Sequence, residues 1–341
     1  MTKTISSLLS IVAISALTIG CGSSSATSKT TTGTVIDDYL SGATVCVDVN
    51  NDGKRDSGDT PCTTTNTTGQ FTFTTDVSAF PLVQSGGTDV GTGDPFTGTL
   101  TAPAGSTVLT PLTTIVQAIV KSGKTIAEAQ TIVKTSLGLP DVDLRTYDPI
   151  AGLASGTAAE ITAAKTVFAQ QSSIQTILTT IATTIAATLT GSNEDDLTAG
   201  AAAQIAALMN IATPVAIDIA DTSNVTTIIN ATAVAASTSV NATLVAALAA
   251  QVKESSDQVV SNITTSTGSI GDIRQAAAQV AEVVKNNAVI IVAAVDSGVV
   301  TAITTATTNL STAIDDAAAN VTAAASLTTV ASEPSGAGGE N

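Results

Sequence analysis

The sequence predicts an α+β chain in two parts, a small antiparallel β-sandwich followed by a mostly α-helical, elongated bundle. Two observations carry this. Residues 33–103 hold nine Asp, no Glu and four of the five Phe, among many Gly and Thr. From about residue 106 the chain turns to Ala, Thr, Val and Ile, punctuated by helix caps. Such a shift marks a boundary between two cores, and it divides the chain into 1–20, 21–32, 33–103, 104–331 and 332–341.

In the first block, Gly33 to Ile36, Ala43 to Val47, Gln70 to Thr74 and Phe96 to Leu100 read as strands. Each mixes β-branched or aromatic residues with small or polar ones and is bounded by Gly, Asp, Asn or Pro. An antiparallel sandwich is the simplest packing for them. Its core is thin, because fewer than about 80 residues bury little apolar surface alone.

The second block reads as helices. Thr110 before Pro111 is a cap followed by the proline favoured at the first helical position, and Leu112, Ile115, Val116, Ile119 and Val120 repeat at helical spacing. Thr125 with Glu128 forms a capping-box pattern, and Gly138 ends the helix it starts. Thr157 with Glu160 repeats the device. It launches a helix toward Gly191 that carries Ile161, Ala164, Val167, Phe168, Ile174, Ile177, Leu178, Ile181 and Ile185 on one side. At 1.5 Å per residue it would be roughly 50 Å long. Further helical patterns run over about 197–211, 224–262 and 270–331. Their faces are Ala, Val and Ile, which let helices approach closely and favour an elongated bundle. The 332–341 ending, with Pro334 and several Gly, reads as a frayed tail.

The N-terminal residues read as an export signal. Lys3 gives a positive start, Ile5 to Ile19 form an apolar stretch too short for a comfortable bilayer span, and Gly20 is a small residue at the cleavage site. The segment Leu17-Thr18-Ile19-Gly20-Cys21 resembles the lipobox of bacterial lipoproteins, with Thr18 where an aliphatic residue is usual. That resemblance implies cleavage before Cys21, lipid on Cys21 and, with Gly22 rather than Asp following, the outer membrane or cell surface. Gly22 to Ser28 is a flexible polar run suited to a tether. After residue 20 the longest apolar run, Ala288 to Val295, has eight residues, so the lipid is the expected membrane anchor.

Beyond the inner membrane the compartment is oxidising, and once Cys21 is lipidated Cys46 and Cys62 are the two remaining thiols. A disulfide between them would close the Asp-rich loop they bracket, stabilising by about 3 kcal/mol in the chain-entropy model.

Composition narrows the function. A net charge of −16 with no basic patch repels phosphate backbones, so nucleic acid is not an expected partner. Histidine is absent, which excludes Ser-His-Asp and Cys-His sites and the His-containing zinc sites of most metallohydrolases. Aromatic residues are 2% of the chain, leaving few ring-lined pockets for an organic cofactor. The expectation is a non-enzymatic protein.

The most specific chemistry is the loop Asp48-Val49-Asn50-Asn51-Asp52-Gly53-Lys54-Arg55-Asp56-Ser57-Gly58-Asp59. Asp48, Asn50, Asp52, Asp56 and Asp59 put oxygen donors at positions 1, 3, 5, 9 and 12 of a calcium loop. Gly53 stands at the sharp turn, and the backbone carbonyl of Lys54 falls at position 7. Calcium suits this spacing because alternate side chains of a tight turn converge on a hard cation that wants six to eight oxygens. Asp59 replaces the bidentate Glu of an EF-hand, which points to a modest affinity of about 10⁻⁴ to 10⁻³ M.

The run Asp48 to Asp59, followed by Thr63 to Thr68, Gly69 and Gln70-Phe71-Thr72-Phe73, resembles the B-type repeat of serine-aspartate-repeat surface adhesins. It is similar also to the related carboxypeptidase-regulatory-like β-sandwiches. The resemblance covers about 33–103 and implies a calcium-rigidified stalk module on a cell surface. A second stretch, Ala102 to Thr114, together with Leu137-Gly138-Leu139-Pro140 and Tyr147-Asp148-Pro149, resembles a segment that follows such modules in large bacterial surface proteins. No activity attaches to it. The helices are then expected to contact other surface proteins, a second copy, or simply one another. Two other readings stand beside this one, an accessory domain of an envelope enzyme and a ligand-binding transport lipoprotein.

Overall fold

Strands form in the first block where apolar side chains alternate with polar ones, as in Gln70–Phe73, whose Phe71 and Phe73 are buried while Gln70 and Thr72 are exposed. The computed structural model describes residues 29–189, 194–267, 269–275, 277, 278 and 293. Cys21 and its leader, most of the tether, the greater part of 270–331 and the 332–341 tail lie outside the described residues. The chain is mixed α+β, with short strands first and helices after them.

The strands are β1 (Thr31–Val35), β2 (Leu40–Ser41), β3 (Thr44–Val47), β4 (Cys62–Thr64), β5 (Gln70–Phe73), β6 (Leu82–Ser85), β7 (Thr88–Asp89), β8 (Thr99–Ala102) and β9 (Val108–Leu109). They make a four-stranded antiparallel sheet in the order β4-β3-β6-β8, a three-stranded sheet β5-β1-β9, and the small pair β2-β7. Within the second sheet β1 pairs antiparallel with β5 and parallel with β9, Val35 facing Leu109. Gly33 is required in β1, because a Cβ there would lie 2.4 Å from the Phe71 ring and 2.5 Å from the Thr107 carbonyl. The Phe71 and Phe73 rings meet edge to face, 5.8 Å between centroids, in a core shared with Val35, Val45, Leu82 and Leu100.

The strand expected at Phe96 to Leu100 begins three residues later. Gly98, at φ 95°, turns the chain left-handed and delays the ladder to Thr99. Strand β4 has no large apolar side chain to mark it in the sequence.

Helices α1 (Pro111–Lys121), α2 (Ile126–Leu137), α3 (Pro149–Ser155), α4 (Ala158–Thr188), α5 (Glu194–Met209), α6 (Thr222–Ala235) and α7 (Ala242–Thr265) follow, and residues 270–275 are helical too. Their caps explain their starts. Thr125 with Glu128 and Thr157 with Glu160 form reciprocal capping boxes, and Thr110 does the same with Thr113. Gly138 closes α2 in the left-handed conformation at φ 62°. The 31 residues of α4 give it a length of about 47 Å.

Helix α4 packs against α3, α5 and α7. Its Ile174, Ile177, Leu178, Ile181 and Ile185 join Leu112, Ile115, Ile205 and Leu248 in the main helical core. Nearer its start, Phe168 and Ala164 meet Ile36 and Val108 of the β block, with Val259 and Ile263 of α7 completing the seam. Among the described residues no helix is long and apolar enough to cross a membrane.

The 224–262 pattern divides into α6 and α7. Ser237 N–H donates to Val234 and Thr238 N–H to Ala233, which is the Schellman arrangement, with Ser237 left-handed at φ 58° in the place glycine usually takes. Asn241 then caps α7 through the Thr243 N–H. Without a glycine the stop is invisible in the sequence. Replacing Ser237→Gly removes the Cβ from that conformation, so equilibrium urea unfolding is expected to show a gain of about 0.5–1 kcal/mol.

Candidate metal-binding loop

Residues 48–59 leave β3 and return into β4, and the two strands hold their ends. Cys46 and Cys62 face each other across the β3–β4 ladder and are joined by a disulfide. The staple therefore sits two residues before Asp48 and three after Asp59, as the sequence suggested.

The loop winds around its own side-chain oxygens. Asp48 is buried, and its two carboxylate oxygens accept the N–H groups of Asp52 (3.1 Å) and Gly53 (2.9 Å). Asn50 Oδ1 also accepts from Asp52 (3.1 Å), Asp52 Oδ1 from Lys54 (2.8 Å), and Asp56 Oδ1 from Gly58 (2.7 Å). Asp59, buried like Asp48, closes the circuit by accepting from Val49 (3.1 Å) and Asp56 (2.9 Å). Gly53 makes the turn at φ 79°, a value that disfavours any side chain.

Burial pushes the Asp48 carboxyl above the ordinary aspartate range, and the neighbouring Asp59 and Asp52 charges push the same way, while the bonds from Gly53 and Asp52 pull it down. A cation at this place would relieve that repulsion. The donor set, with side-chain oxygens at positions 1, 3, 5, 9 and 12 of the loop, fits calcium chemistry. Convergence is incomplete. The Asn50 side-chain amide donates to Asp52 Oδ2 (3.1 Å) and Asp56 Oδ2 (3.0 Å), so an N–H donor stands between the carboxylates. Among the described residues no three acidic, His or Cys side chains stand grouped as a metal cluster. Turning the Asn50 amide would put an oxygen there at the loss of the bond that its Oδ1 accepts from the Asp52 N–H.

Helix α1 touches the loop from outside. Gln117 Nε2 donates to Asn51 Oδ1 (2.6 Å), and Lys121 Nζ donates to the Asp52 carbonyl. Lys54 pairs with Asp196 of α5 at 2.9 Å, both side chains being partly exposed. The contacts that Gln117, Lys121 and Asp196 make with the loop are not legible in the sequence. Only Lys121, a cation in the last turn of a helix, carries any local signal, and that signal has the simpler meaning of offsetting the helix dipole.

No known protein family, curated protein or solved structure matches this chain.

The disulfide constrains the unfolded chain over a separation of 16 residues. Replacing Cys46→Ser with Cys62→Ser is expected to cost about 3 kcal/mol in denaturant unfolding. Adding a reductant to the parent should lower its stability toward that of the double variant.

Proposed function

We propose that the chain is a non-enzymatic lipoprotein of the cell envelope: a lipid tether at Cys21, a calcium-stabilised β-sandwich, and an elongated helical bundle that serves as an interaction surface. The observation that carries it is the loop 48–59, where five side chains with oxygen donors alternate around Gly53 between disulfide-joined strands. Asp48, Asn50, Asp52, Asp56, Asp59 and the Lys54 carbonyl would hold Ca²⁺. The ion supplies positive charge to a site where two of the carboxylates are buried. The lipobox resemblance and the polar run after Cys21 support the tether. An outer-membrane or cell-surface location agrees with a disulfide and with a loop suited to extracellular calcium.

Holding the loop has a use in such a protein. Without the ion, repulsion among its carboxylates acts against the contacts that Gln117, Lys121 and Asp196 make with it. With the ion bound, the β block and α1 are held in register. In this reading calcium stiffens a display device, and the helices present the surface. The expected partners are other envelope proteins or a second copy of the chain.

Two measurements test the proposal. Calcium added to the chelator-treated chain should raise its melting temperature, by about 2.7 kcal/mol of stability at a hundredfold excess over Kd, and Asp48→Ala/Asp52→Ala should abolish the response. Equal melting with and without calcium removes the metal. Separately, Cys21→Ala should move the protein from the membrane fraction to the soluble one. Unchanged membrane association in that variant removes the lipid tether.

A further inference from the structure

A second acidic group lies away from the loop, at the seam between the β block and α4. Asp37 and Asp38 follow β1, Asp89 ends β7, and all three line a cavity of about 100 Å³ with Gln175 of α4 and Arg274. Phe96 and Phe168 supply apolar wall. Nothing in the sequence marks these residues as a group, because they are brought together from distant parts of the chain.

The charges in this cavity do not balance. Among the described residues Arg274 is the one cation in a lining that also holds Asp94, and it is committed: Nε and Nη2 both donate to Asp38 Oδ1, at 2.7 and 2.6 Å, while its guanidinium lies 5.4 Å from the centre of the Tyr39 ring. Asp38 is 6% exposed and its second oxygen, Oδ2, is buried with no hydrogen-bond partner among the described residues. Gln175 is also 6% exposed; its nitrogen donates to Thr179, and its Oε1 is likewise without a partner. Gly91 is what lets this loop approach the two carboxylates so closely, since a Cβ there would lie 2.3 Å from Asp38 Oδ2 and 3.3 Å from Asp89 Oδ1. Asp89 is partly satisfied by the Thr92 N–H and hydroxyl.

An unpaired buried acceptor costs free energy, and two in one cavity call for a donor. Water could donate, yet it leaves the excess carboxylate charge in place. Consistent with that excess, burial raises both Asp37 and Asp89 above the ordinary aspartate range; the charges of Asp89 and Asp38 add to the rise at Asp37, and that of Asp38 to the rise at Asp89, against the pull of its bonds from Thr92 and Gly91. The apolar wall favours a cation with a carbon body.

We propose that this cavity is a binding site for a small organic cation bearing a primary ammonium, whose N–H groups bond to Asp38 Oδ2 and Gln175 Oε1. Asp89 supplies further negative charge, and Phe96 and Phe168 contact the alkyl part. This goes beyond the display reading and does not rest on it, for the two sites share no residue.

Propylammonium is a suitable probe. Calorimetry on the full chain at low ionic strength, with calcium present, should show saturable binding of one equivalent and a rise in melting temperature. Gln175→Leu removes one acceptor, and Asp89→Asn removes a charge, without touching the Arg274 pair. Each should weaken binding by about tenfold to a hundredfold. Tetramethylammonium, a cation with no N–H, should bind far more weakly. The Asp48→Ala/Asp52→Ala variant should bind propylammonium as the parent does, which separates this site from the calcium loop. The proposal is overturned by a lack of saturable binding, by equal affinity for tetramethylammonium, by unchanged affinity in both cavity variants, or by loss in the loop variant.

Discussion

The parallel pairing of β1 with β9 fixes where everything else lies. Ile36 N–H donates to the Leu109 carbonyl, and Thr110, the next residue, caps α1. Strand and helix are therefore welded by consecutive residues, with no linker between them. The hydroxyl of Thr113 then donates to the Thr101 carbonyl, and Thr101 N–H donates to the hydroxyl of Thr114, which seats the first turn of α1 on β8. From that position Gln117 and Lys121, one and two turns further along, reach the 48–59 loop. Two ladder positions thus decide which helix meets the loop.

The same weld brings α4 beneath β1. Gln171, fully buried, donates its side-chain amide to the carbonyls of Ile36 and Asp37, the residues where β1 has stopped pairing with β5. Satisfying those carbonyls from a helix lets the chain turn sharply into Asp38 and Tyr39 instead of extending the strand. Phe168 lies one turn earlier on α4 and packs with Ile36, so polar and apolar contacts hold the same corner. The acidic cavity is a by-product of this corner. It lies where a strand end, a loop tip and a helix meet without filling the space among them.

What the sequence disclosed follows how local each device is. The capping boxes at Thr125 and Thr157 are written in four consecutive residues and recur in the fold without change. The oxygen donors of 48–59 are contiguous too, so their spacing could be read directly. By contrast, the Gln117–Asn51 bond spans 66 residues and the Arg274–Asp38 pair 236, and composition holds no trace of either. Ser237 shows a different limit, since a left-handed helix stop is recognised by its glycine and here there is none. The β4 strand was hidden because backbone pairing and a disulfide hold it, rather than apolar side chains.

The place of β1 in the middle of its sheet has a mechanical meaning. It is the first strand described after the N-terminal segment, and it is flanked by β5 on one side and β9 on the other. A tension applied ahead of Thr31 runs along the strand axis, so the bonds to both neighbours share the load in shear instead of opening one after another. Rupture would then need the two ladders to slip together, and β9 passes part of the load straight into α1. An edge strand in this position would peel; a central one resists.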